Sequence, residues 1–128
     1  MRYYCEDKET VLRELNSAES GLTAAEAQTV IPTREAFESV WRYLRHQAKE
    51  EPFEITPAHL VKNIAKVFHT RETYARTMVC VHVFDERGLI QVEQQSAGVL
   101  RIGLRPVSGK VDLEQSEILL RLRRSTRS

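Results

Sequence analysis

The chain has 128 residues, with 19 basic and 18 acidic side chains and a net charge of +1; 41% of its residues are hydrophobic and 29% charged. That is the length of one domain, or of one domain with an appendage, and the composition of a globular protein. It has no apolar run near the ~18 residues a membrane span needs, no apolar leader core at its start and no disulfide framework, so a cytoplasmic protein is expected.

Residues 1–30 read as a leading segment. Arg2 to Cys5 has the tyrosines of a short strand, Asp7 offers a helix cap ahead of Val11, Leu12 and Leu15, and Thr23 with Glu26 fits a capping box. A strand with so little following partner reads as the tail of a preceding domain.

The main domain is expected over residues 31–122. Thr33 is an N-cap, and Phe37, Val40, Trp41 and Leu44 repeat at helical spacing in a helix ending near Gln47. Trp41 falls on the apolar stripe, whereas Tyr43 is the more open aromatic. Phe53 and Ile55 suggest a short strand. Thr56-Pro57 is a cap followed by proline at the first helical position, and Leu60, Ile64 and Val67 or Phe68 face inward. His69-Thr70 turns into a third helix, Thr70 to Arg87, with Tyr74, Met78 and Val81 as its buried stripe and Gly88 as its stop.

Two strands follow. Ile90 and Val92, then Leu100, Ile102 and Leu104, alternate around a turn at Gln95 to Gly98. Asp112 and Gln115 form a capping box for a last helix carrying Leu113, Ile118, Leu119 and Leu122, and residues 123–128 read as a disordered basic tail. Helix, strand, helix, tight turn, helix and hairpin make an α+β, winged-helix-like domain: a three-helix helix-turn-helix core, a β-hairpin wing and a short C-terminal helix.

The residues offer no catalytic constellation. There is no phosphate loop, nucleophile elbow or paired-cysteine zinc spacing. Cys80 and His82 lie two apart, on different sides of a helix, and cannot share an ion. Asp7, Asp85 and Asp112 are too scattered for a two-metal site. The chain alone is therefore expected to be neither an enzyme nor a metal protein.

Charge is the remaining signal. Residues 1–30 carry three basic and six acidic side chains, residues 101–128 seven and three. That asymmetry points to an anionic partner near the C-terminal end. The candidate nucleic-acid contacts are Arg71 and Arg76 on the third helix, Arg101 on the wing, and Arg105 and Lys110 beyond it. Glu72 weakens the helix as a duplex reader, so phosphate contact from the wing side is expected instead of base reading. Packing or protein contact is the competing use of such a fold.

The run Ile31 to Leu44 (IPTREAFESVWRYL) resembles the start of the C-terminal domain of RecJ-type single-stranded-DNA exonucleases. Val83 to Ile90 (VFDERGLI) and Lys110 to Ser116 (KVDLEQS) are similar to two later family stretches, in the same order. The resemblance covers residues 31–116. It implies an accessory domain of an enzyme that degrades single strands from the 5′ end in recombination and repair. It also implies a manganese- or magnesium-binding catalytic region elsewhere in such a parent, and as partners single-stranded DNA, the parent's own catalytic domains or a repair protein such as single-strand-binding protein. The alternative is a free-standing winged-helix regulator that dimerises on duplex DNA.

Overall fold

A computed structural model describes residues 30–69, 74–106 and 111–125. The expected leading strand and helices, together with Arg71, Lys110 and the final three residues, lie outside the described residues. Among the described residues the fold is α+β, with four helices and one three-stranded antiparallel sheet.

Helix α1 spans Arg34–Gln47. Thr33 caps it as expected, its hydroxyl accepting from the Ala36 amide at 3.1 Å, and Glu35 complements the positive end of the helix dipole. Val40 and Leu44 are buried, while Phe37 and Trp41 pack against the core and stay partly exposed. Tyr43 reverses the expectation: it is only 7% exposed, and its hydroxyl accepts from Asn63 Nδ2 at 3.0 Å. Trp41, not Tyr43, is the more open aromatic.

Strand β1, Phe53–Ile55, leads into α2, Pro57–Phe68. Thr56 caps α2 by accepting from the His59 amide. Leu60 and Ile64 are buried and Phe68 packs inward, whereas Val67 is 58% exposed. His69 ends the helix in the left-handed region at φ 53°.

Helix α3, Tyr74–Glu86, is the hub, contacted by α1, α2, the C-terminal helix and the strand that follows Gly88. The expectation of a single stripe is corrected here. All nine residues from Thr77 to Asp85 are buried, and Tyr74 sits at the exposed end. A helix apolar on every side belongs inside a protein. Val79, Val81 and Val83 are poor helix formers, so tertiary burial holds this helix rather than propensity. Burying Phe84 alone is worth about 1.5–3 kcal/mol. Its ring packs against Trp41 at 5.3 Å and edge-on to Phe37 at 5.7 Å.

Gly88, at φ 77°, stops the helix. The Leu89 amide donates to Phe84 O at 2.9 Å and the Gly88 amide to Asp85 O at 3.2 Å, the double bond of a Schellman ending. Strands β2 (Ile90–Gln94) and β3 (Leu100–Leu104) follow, joined by a 3₁₀ turn over Ser96–Gly98. Strand β3 is central, pairing with β2 on one side and β1 on the other. Leu100 and Ile102 are buried, but Leu104 leaves the expected inward row and is 37% exposed.

The last helix, α4, spans Glu117–Ser125. Asp112 caps only a 3₁₀ turn, Leu113–Gln115, through Glu114 N. The cap of α4 is Ser116, whose hydroxyl accepts from Leu119 N, four residues beyond the expected cap Asp112. Glu86 on α3 assists, accepting from Ile118 N at 3.2 Å. The helix takes in Arg123, which the sequence reading placed in a disordered tail; its guanidinium pairs with Glu114.

Candidate nucleic-acid interface

Of the five expected contact residues, Arg76 is employed otherwise and Arg101 has acidic neighbours. Arg76 Nε donates to Ile31 O at 3.1 Å, tying the start of α3 to the segment ahead of α1. Arg101 is exposed, but its register partners are Glu54 on β1 and Glu93 on β2, so carboxylates flank it on both sides. Such cross-strand neighbours offset its positive field. Arg71 and Lys110 lie outside the described residues.

Arg105 is different. Its amide donates to Leu89 O at 3.1 Å, carrying the β3–β2 pairing one residue further, and it lines a groove with Trp41 and Arg45 of α1. Beside it α1 presents a basic row, Arg42, Arg45 and His46, continued by Lys49 just past the C-cap. The spacing i, i+3, i+4, i+7 puts all four on one side. With Leu104 they line a cavity of about 420 Å³. The signal was present in the sequence as a basic stripe. Charge summed by region averages that stripe away, because it lies on one helix face.

Alongside lies a larger groove of about 470 Å³. Phe37, Trp41, Phe84 and Leu89 supply apolar wall, and Arg45, Arg105 and Glu38 stand at its edge. Arg45 and Leu104 line both cavities, so the basic pocket and the apolar groove adjoin. Glu38 is already engaged by Arg34 at 3.4 Å. Among the described residues, Arg42, Arg45, Lys49 and Arg105 form no ion pair. Four cations without carboxylate partners repel one another, and an anion laid across them relieves that repulsion.

Chemically, the face offers positive charge beside an aromatic wall, a surface suited to binding. Among the described residues no three His, Cys, Asp or Glu side chains come together to hold a metal, and Cys80 is a buried free thiol. No described helix is long and apolar enough to cross a membrane. No family model, curated protein or solved structure matches this chain.

Proposed function

We propose that this chain is a non-catalytic accessory domain that binds single-stranded DNA through the face formed by Arg42, Arg45, His46, Lys49 and Arg105. The observation that carries the reading is a set of cations that form no ion pair among the described residues, beside an aromatic groove. A basic track for phosphates next to an aromatic surface is the usual means of holding single strands. The sequence resemblance over residues 31–116 supports a place in a RecJ-type exonuclease acting in recombination and repair. Manganese or magnesium would belong to the parent's catalytic region. Three helices, a hairpin and a terminal helix are compatible with a winged-helix-like domain.

A regulator that reads duplex DNA with the third helix has less support. Most of α3 is buried, and Arg76, near its exposed end, bonds to the backbone.

The test is a titration with labelled single-stranded and duplex DNA at two salt concentrations. Salt-sensitive binding that favours the single strand is expected, and it should weaken when Arg42 and Lys49 are both changed to Ala. Binding to neither nucleic acid at low salt would overturn the reading. The same surface would then be tried against single-strand-binding protein as a partner face.

A further inference from the structure

We infer that the apolar groove beside the basic stripe is a subsite for an unpaired nucleobase, with the neighbouring phosphates of the strand lying on Arg45 and Arg105. The inference rests on the proposed single-strand binding and adds the part of the ligand that enters the groove.

Continuity and charge argue for this occupant. Arg45 and Leu104 belong to both cavities, so a strand following the cations passes the groove mouth. A nucleotide pairs a flat apolar face with an anion, and the groove pairs apolar walls with two cations at its edge. Trp41 is braced by Phe84 at 5.3 Å and remains partly exposed on the groove side. An indole held in this way loses little freedom when a base stacks on it. Glu38, the acidic residue at the edge, is paired with Arg34 and leaves the balance there positive. Bases inside a duplex are stacked on one another, so only an unpaired base can enter without an unstacking cost.

Trp41 is the sole tryptophan, so its emission reports on this groove directly. The experiment compares oligothymidylate, an abasic phosphodiester oligomer of equal length and a duplex, in the wild-type chain and in Leu104→Ala, a change at a partly exposed wall position. Oligothymidylate should quench Trp41 and bind at least about fivefold more tightly than the abasic strand. Leu104→Ala should lower thymidylate affinity more than abasic affinity and so narrow that gap. Equal affinity for thymidylate and abasic strands, with Trp41 emission unmoved, would overturn the base subsite while leaving phosphate binding intact. Duplex bound as tightly as the single strand would overturn it too. Binding of none of the three defeats the proposed function itself. Emission that follows protein concentration, or that is shielded from iodide in the free chain, would show the groove filled by a second copy or by the chain's own residues, and either overturns the inference.

Discussion

Gly88 shows how much one backbone position can decide. A Cβ there would meet no atom within 4 Å, so space is not the constraint. The constraint is φ at 77°, a region that costs an L-residue with a side chain about 1 kcal/mol. Gly88→Ala should therefore lower stability by about that amount in urea unfolding, with the slope unchanged, and Gly88→Asn should cost less. A larger effect from Asn than from Ala would contradict the conformational account. This position was legible in the sequence because a glycine followed by an apolar residue after a helical pattern is a local signal. The Tyr43–Asn63 hydrogen bond was not, because it joins side chains twenty residues apart. Periodicity put Tyr43 off the apolar stripe and could not show that α2 would cover it.

Among the elements, α4 depends on a neighbour for its start. Ile118 N has no acceptor within its own first turn and uses Glu86 on α3. Glu86→Ala should cost about 1 kcal/mol, and Glu86→Gln less because an acceptor oxygen remains. Thermal melts of the two variants check this, and equal losses would refute it. The pair at the other end of this region depends on pH. The hydrogen bond from Arg123 holds the Glu114 carboxyl below its ordinary range, against a small opposing effect of burial. The folded chain thus favours the ionised form. The contribution is present at neutral pH and disappears as pH falls through the carboxylate range. Both side chains are well exposed, so it amounts to no more than about 0.5 kcal/mol. Melts of wild type and Glu114→Gln should differ slightly at pH 7 and converge as the pH falls below the carboxylate range. The sequence showed α1 and α2 almost to the residue, because cap residues and amphipathic spacing coincide there. It misplaced the α4 cap because Asp112 and Ser116 are both good caps and tertiary contact with Glu86 favours the second. It missed the nature of α3, although the run from Thr77 to Phe84 offered a hint by holding no carboxylate, lysine or arginine.

For the whole molecule, net charge of +1 is a poor guide to where an anion would bind. What matters is segregation: Arg101 has Glu54 and Glu93 as cross-strand neighbours, whereas Arg42, Arg45, Lys49 and Arg105 form no ion pair among the described residues and share one face. Each phosphate contact on a single strand contributes about 0.7 to the salt slope. Changing Arg42 and Lys49 together should therefore reduce the slope of log affinity against log salt by about 1.4, and changing Arg101 should reduce it far less. Salt titrations of the two variants measure this, and equal reductions would remove the distinction between a cation flanked by carboxylates and the clustered ones. The candidate face was only partly legible because it joins the end of β3 to the back of α1, and no linear segment contains both.

Leu89 links these scales. Its N–H closes the end of α3 on Phe84, and its C=O receives the amide of Arg105. The helix stop and the start of the basic face are therefore consecutive links of one hydrogen-bonded chain. Amide exchange should report them together: the Leu89 and Arg105 amides should open with the same free energy, and Gly88→Ala should speed both. A substitution at Gly88, which no ligand would touch, should then loosen the residue placed to meet the phosphate.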